Sequence, residues 1–86
     1  MPAISIFFGI VIRMYYNEHR PPHFHAEYQG QKGVFDFSGR LLAGNFTSKV
    51  ASKLIKDWAG RHKHELMVNW KKAEARKPLN LIEPLE

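Results

Sequence analysis

The chain has 86 residues, of which 44% are hydrophobic and 13% are aromatic. This composition suffices for the core of one small domain and excludes the low hydrophobicity of a disordered chain. The chain contains no cysteine, which excludes disulfide bonds, thiolate metal sites and thiol catalysis, and its formal net charge of +5 is compatible with an anionic partner.

No segment of the sequence has the pattern of a membrane span or a secretory leader. The longest mostly apolar run, residues 4–12, is far shorter than the roughly 20 residues that a membrane helix needs. The N-terminal region also lacks the basic stretch and the small-residue cleavage site of a signal peptide. We therefore expect a cytoplasmic protein without a membrane partner, organised as a single domain over residues 1–86.

Residues 4–16 are rich in β-branched and aromatic side chains, which favours one long β-strand. Alternation along a strand predicts one buried face and one face that carries Arg13 and Tyr15. The residues expected on the buried face are Ile6, Phe8, Ile10, Ile12 and Met14.

Two further strands are predicted over residues 23–28 and 33–37. Two adjacent prolines place residues 17–22 in a loop, and a four-residue turn is expected at 29–32. Residues 41–43 are compatible with a short additional strand, so the pattern leaves three or four strands open.

The second half of the chain changes to helical periodicity. The apolar stripe consists of Val50, Leu54, Trp58, Leu66, Trp70 and Ala73. Both tryptophans are expected in the core, because large aromatic side chains on such a stripe usually anchor the packing. Gly60, followed by two histidines, predicts a kink or a break into two helices.

Together these elements predict an α+β fold. A three- to four-stranded antiparallel β-meander over residues 1–45 is covered on one face by a kinked helix or two helices over residues 47–77. A proline ends the helical region, and residues 78–86 are expected to form an extended tail.

The segment NEHRPPHFHAEY, residues 17–28, contains three of the five histidines. Its flanking strands can form a hairpin, in which opposed residues share one sheet face. The pairs that this hairpin and the next turn predict are Tyr15 with His23, Arg13 with His25, Val11 with Glu27 and Asp36 with His25. The polar face would then carry Arg13, Tyr15, His23, His25, Glu27 and Asp36, opposite Phe24, Tyr28, Phe35 and Phe37.

Three interpretations of this polar face remain open. The first is a solvated surface on which histidines and carboxylates form ion pairs. The second is a metal site formed by His23, His25, Glu27 and Asp36, against which the nearby Arg13 argues because its charge repels a divalent ion. The third is binding or cleavage of a phosphodiester, with His23 and His25 as catalytic acid and base and with an RNA substrate that supplies its own 2′-hydroxyl nucleophile.

The positive charge is concentrated in the second half of the chain. Residues 1–45 carry a net charge of +1, whereas residues 47–77 carry +6. The lysines there are either the solubilising face of a helix or a surface that attracts nucleic acid. The residues predicted to contact phosphate or nucleic acid are Arg13, Tyr15, Arg20, Lys49, Lys53 and Lys56.

Two stretches resemble a small bacterial family known as domain of unknown function 4160. They are PAISIFFGIVIRMYYNEHRPPHFHAEY near the N-terminus and WAGRHKHELMVNW in the helical region. Members of that family look like one partner of a two-gene cassette, which is similar to toxin–antitoxin organisation. The resemblance implies nucleic acid or translation as a target and a cognate small protein partner, and it transfers no catalytic residue.

The sequence therefore predicts a basic, nucleic-acid-directed protein within a toxin–antitoxin-like pair, with RNA as the favoured ligand. The alternatives are a protein-interaction module, with homo-oligomers among its assemblies, and a histidine-based metal-binding module. No cofactor is predicted, and whether the protein is an enzyme stays open.

Overall fold

Five antiparallel strands, each paired with its neighbours in sequence, form one sheet in the computed structural model, which describes residues 3–86. The strands are β1 (Ala3–Phe7), β2 (Ile10–Arg13), β3 (His23–Tyr28), β4 (Gln31–Asp36) and β5 (Leu41–Asn45), followed by α1 (Lys49–Arg61) and α2 (Lys63–Glu74). The predicted α+β meander with two helices is confirmed, with five strands instead of three or four. Residues 1 and 2 of the predicted meander lie outside the described residues.

The predicted long strand over residues 4–16 is wrong, because a two-residue turn at Phe8 and Gly9 divides it into β1 and β2. Both turn residues have positive φ, 49° and 79°, as a type I′ hairpin turn requires. The predicted burial therefore fails at Ile6 and Phe8, which are 59% and 58% exposed. Phe7 is buried in their place.

The hairpin between β2 and β3 has two of its three predicted pairs, Val11 opposite Glu27 and Arg13 opposite His25. β2 ends at Arg13, so the predicted pair of Tyr15 with His23 is not part of the ladder. Alternation therefore places the side chains of Arg13, His25 and Glu27 on the same face of the sheet. The opposite face carries Ile12 and Ala26, both of which are buried.

The turn between β3 and β4 is shorter than the predicted four residues at 29–32. Gln29 and Gly30, with φ of 47° and 80°, form a two-residue turn. This register sets Asp36 opposite His23, so the predicted pairing of Asp36 with His25 is wrong.

The hydrophobic core lies between the sheet and the two helices. Trp58 has no exposed surface, its ring lies 5.4 Å from that of Phe7 and 5.6 Å from that of Phe24, and its indole N–H donates to the Glu83 carbonyl. Trp70 is 2% exposed. The predicted core positions of both tryptophans are confirmed.

The predicted stripe is wrong at Val50, which is 70% exposed. Residues spaced four apart rotate by about 40° per step around a helix, because one turn takes 3.6 residues. Val50 therefore lies outside the face that Ile55 and Trp58 bury.

Two helices form instead of one bent helix. Ser48 caps α1 by accepting a hydrogen bond from the backbone N–H of Ala51 at 3.2 Å. The break falls at His62, whereas Gly60 lies inside α1. Regular helix ends at Glu74, three residues before the predicted limit at 77.

The tail after α2 contacts β1 and both helices. The backbone N–H of Ile82 donates to the Ile4 carbonyl at 2.8 Å, and Ile82 is buried. Asn69 in α2 exchanges two hydrogen bonds with the backbone of Asn80. Within residues 3–86, no helix has the length and apolar character needed to cross a membrane.

We expect Trp58→Ala to lower the free energy of unfolding by about 3–5 kcal/mol, because it removes a fully buried ring and leaves a cavity. Urea denaturation of both proteins measures this difference. Val50→Ala is the matched control in the same helix and should change the free energy by no more than about 0.5 kcal/mol. A loss below about 1 kcal/mol for Trp58→Ala would contradict the packing described above.

Candidate functional site

The loop between β2 and β3 brings Glu18 back over the beginning of β3. Its position depends on contacts with residues that end α2 or follow it. These contacts join Tyr16 Oη to the Lys77 carbonyl at 2.9 Å, Arg76 Nη2 to Asn17 Oδ1 at 2.7 Å, and Arg20 Nη2 to Glu74 Oε2 at 3.2 Å. The helical half of the chain therefore holds the loop that carries Glu18.

Glu18, His23 and His25 form the histidine–glutamate cluster. Glu18 Oε1 lies 2.7 Å from His25 Nε2 and 3.5 Å from His23 Nε2. The two histidines stand at alternate positions of β3, so their rings project from the same face of the strand. The three ligand-type atoms all lie within 4.8 Å of one another.

His23 is the more buried histidine, at 9% exposure. Its Nδ1 lies 2.8 Å from the Pro21 carbonyl oxygen, which can only accept a hydrogen bond. We therefore assign the ring hydrogen to Nδ1. In the neutral ring, Nε2 is then a lone-pair acceptor that faces another acceptor, the Glu18 carboxylate.

Aromatic rings hold both imidazoles in place. The Trp70 ring lies 5.2 Å from that of His23, and the Tyr15 ring meets His25 edge-on at 4.6 Å. A cavity of about 200 Å³ adjoins the cluster and is lined by Tyr15, Asn17, Glu18, Trp70, Ala73 and Glu74. Both rings therefore restrict the positions of the imidazoles, and the cavity opens beside Glu18.

Partial burial raises the pKa of the Glu18 carboxyl, but the hydrogen bonds that His25 and His23 donate in their protonated form, and the positive charge of those rings, outweigh this effect. The pKa of Glu18 consequently lies below its ordinary value. The carboxylate is therefore ionised at neutral pH and supplies a negative charge between the two imidazoles.

The arginines predicted to bind phosphate are engaged by carboxylates. Arg13 Nε donates to Glu27 Oε2 at 3.0 Å, and Arg20 pairs with Glu74. The first ion pair lies on the polar face, whereas the second joins the loop before β3 to the last residue of α2. The Glu27 carboxylate therefore pairs with Arg13 and is not a member of the histidine–glutamate cluster.

The Asp36 side chain stabilises the turn that follows β4. Its Oδ1 accepts hydrogen bonds from the backbone N–H groups of Ser38 and Arg40 at 2.9 and 3.0 Å. The carboxylate beside the histidines is therefore Glu18, and not Glu27 or Asp36 as the metal interpretation predicted. Sequence reasoning missed Glu18 because it placed this residue in a loop without a defined direction.

The lysines predicted to attract nucleic acid form a separate surface. Lys49, Lys53 and Lys56 are exposed on α1, whereas the histidine–glutamate cluster adjoins α2 and the loop before β3. The structure thus divides the predicted phosphate-binding residues among the exposed face of α1, the polar sheet face with Arg13, and the loop that carries Arg20.

Glu18 should make the stability of the fold depend on acid pH. A carboxyl whose folded pKa is lowered contributes stability that is complete above its ordinary value of 4.5 and is lost as pH falls through the folded pKa. We expect Glu18→Gln to lose less stability than the wild type between about pH 5 and about pH 3. Urea denaturation at several pH values measures the two slopes. The exposed control Glu83→Gln should keep the wild-type slope, and a wild-type slope in Glu18→Gln would contradict the coupling.

Comparison with known proteins gives one match. The family model described as "Domain of unknown function (DUF4160)" matches residues 9–71, which is more than half of the chain and includes β2 to β5, α1 and most of α2. No curated protein and no solved structure matches the chain significantly. The matched segment contains the whole histidine–glutamate cluster and the three lysines of α1. The chain therefore belongs to the family of domain of unknown function DUF4160.

Proposed function

We propose that this protein binds nucleic acid, with RNA as the favoured ligand, through the exposed basic face of α1. The observation that carries this proposal is the spacing of Lys49, Lys53 and Lys56, which lie on one side of a single helix with all three side chains exposed. Lysines arranged in this way contact successive phosphates without reading the base sequence. The preference for RNA follows from the toxin–antitoxin-like organisation that the family resemblance implies.

Helix geometry supports this assignment. The residues that α1 buries are Ala51, Ile55, Trp58 and Ala59. At about 100° per residue, the three lysines lie on the opposite side of the helix and point away from the sheet. The single acidic residue of α1, Asp57, pairs with Arg61 at 3.0 Å, so it does not neutralise the lysines.

The geometry favours binding over RNA cleavage by His23 and His25. General acid–base catalysis requires each imidazole to reach a reacting oxygen of the substrate. In this structure both Nε2 atoms are directed toward Glu18, and His23 has its Nδ1 on the Pro21 carbonyl. We therefore assign no catalytic step to these histidines.

The test compares two triple variants that lose the same charge. Fluorescence anisotropy with a mixed-sequence single-stranded RNA should show that replacing Lys49, Lys53 and Lys56 by Gln reduces the slope of log K against log salt by about 2. The control replaces Lys63, Lys71 and Lys77 by Gln and should keep the wild-type slope. If both triple variants reduced the slope equally, RNA binding would depend on net charge alone. That result, or no RNA binding at low salt, would contradict the proposal.

A second candidate function is protein interaction, favoured by an exposed apolar groove beside β1. The groove has a volume of about 430 Å³ and runs between the edge strand and the tail. Ile6 and Leu81 line it and are 59% and 82% exposed. Aliphatic side chains exposed together at a sheet edge are typical of an interface. A second copy of the chain fits as the occupant, because two-fold pairing brings the same apolar groove together on both copies.

Sedimentation measurements at increasing protein concentration test this second candidate. The wild type should associate reversibly to a dimer, and the double variant Ile6→Asp, Leu81→Asp should stay monomeric. Val50→Asp places a charge on an equally exposed apolar residue outside the groove and should associate like the wild type. A monomeric wild type throughout the concentration range would contradict the dimer.

A further inference from the structure

We propose that Glu18, His23 and His25 form a binding site for one divalent transition-metal ion, with zinc as the best-fitting ion. One carboxylate oxygen and two imidazole nitrogens supply the ligands. This set suits zinc and its neighbours in the first transition row and does not suit magnesium or calcium, which prefer oxygen ligands. The site goes beyond the RNA binding proposed above and depends on different residues.

Two distances to Glu18 Oε1 can be compared with the geometry of a zinc site, and the ligand nitrogens of the two histidines lie within 4.8 Å of each other. Metal–ligand bonds of about 2.0–2.1 Å at tetrahedral angles separate two ligand atoms by about 3.3 Å. His23 Nε2 lies 3.5 Å from Glu18 Oε1, close to that separation. His25 Nε2 lies 2.7 Å from the same oxygen, so this pair must open by roughly 0.6 Å when an ion replaces the shared proton.

The hydrogen bond of His23 to the Pro21 carbonyl is an independent indication. Metal-bound histidines usually donate their second ring N–H to a carbonyl or carboxylate, which fixes the tautomer and turns the other nitrogen toward the ion. His23 has this arrangement, with Nδ1 at 2.8 Å from the carbonyl oxygen. When the His23 ring is neutral, its Nε2 and the Glu18 carboxylate face each other as two acceptors at 3.5 Å, an arrangement that a proton or a cation between them relieves.

The surrounding charges permit a cation at this position. Arg13, the residue that argued against a metal site, is paired with Glu27 at 3.0 Å, and Arg20 is paired with Glu74 at 3.2 Å. Among the described residues, the ion-pair partners of Glu18 Oε1 are the Nε2 atoms of His23 and His25. Three protein ligands leave a fourth position for water, as in zinc sites that are not purely structural.

Because the cluster is already rigid, binding an ion costs little conformational entropy. His23 lies in β3 against Trp70, and the ring of Tyr15 contacts His25. Glu18 follows two residues that contact the C-terminal end of α2. Because these contacts already hold the three ligands close together, binding requires small shifts of side chains and no refolding.

Isothermal titration calorimetry with zinc chloride tests the proposal on the full chain, without a polyhistidine tag and after treatment with a chelator. We expect one zinc ion per chain. His25→Ala and Glu18→Gln should each weaken binding by at least about tenfold, as the loss of a ligand exceeds the effect of losing a supporting group. His64→Ala removes an exposed histidine of α2 and should bind zinc like the wild type. Magnesium chloride should give no saturable heat.

A measurement on the unaltered protein keeps the test decisive if a variant fails to fold. In an NMR titration with zinc, the ring signals of His23 and His25 should shift together, while those of His19, His62 and His64 keep their positions. Shifts that begin at His62 and His64 would place zinc on the helical half and overturn the proposal. Absence of saturable zinc binding to the wild type would overturn it as well. Neither titration contains nucleic acid, so failure here is distinct from failure of RNA binding.

Discussion

The packing of Trp70 connects the hydrophobic core to the histidine–glutamate cluster. Its indole is 2% exposed and lies 6.3 Å from the ring of Phe37 in the core and 5.2 Å from the ring of His23. The end of the same helix holds the loop that carries Glu18, through Arg20 and Glu74. The geometry of the polar cluster thus depends on α2 being docked on the sheet.

Electrostatics decides what this cluster can hold. When both imidazoles are neutral, the cluster has more acceptors than protons, and with Glu18 and His25 only 27% and 28% exposed, solvent satisfies these acceptors in part. A shared proton satisfies the pair of His25 and Glu18, whereas His23 already uses its Nδ1 hydrogen on Pro21. A cation at the common point satisfies all three atoms together. An anionic phosphate there would instead add further acceptors beside the Glu18 carboxylate.

Local patterns predicted much of the sheet, and long-range contacts decided the rest. The alternation of apolar and polar residues was sufficient for the register of Arg13 with His25, because each partner has one strongly preferred face. The positive-φ turn at Phe8 and Gly9 was missed, and the turn after β3 was predicted with four residues, 29–32, whereas it has two. A phenylalanine at φ 49° and a glutamine at φ 47° are uncommon choices for turns that usually contain Asn or Asp.

Glu18 shows the limit of sequence reasoning most directly. Its position is fixed by neighbours that contact residues near the end of α2, such as Asn17 with Arg76, which is 59 residues away in sequence. Strand periodicity contains no information about such a contact, so the carboxylates chosen from the strands, Glu27 and Asp36, were incorrect members of the cluster. The two histidines were placed correctly because they belong to the strand itself.

The two proposed binding surfaces can influence each other only through the stability of the fold. The lysines of α1 and the cluster beside α2 share no side chain, but both helices pack on the same sheet through Trp58 and Trp70. A small domain has a narrow margin of stability, and a ligand that binds only the folded state adds to that margin in proportion to the logarithm of its concentration. An ion bound between β3 and the loop before it would stabilise the packing of α2 on the sheet, because that loop contacts the end of α2. It would thereby increase the fraction of folded chains that present the basic face of α1, without direct contact between the two ligands.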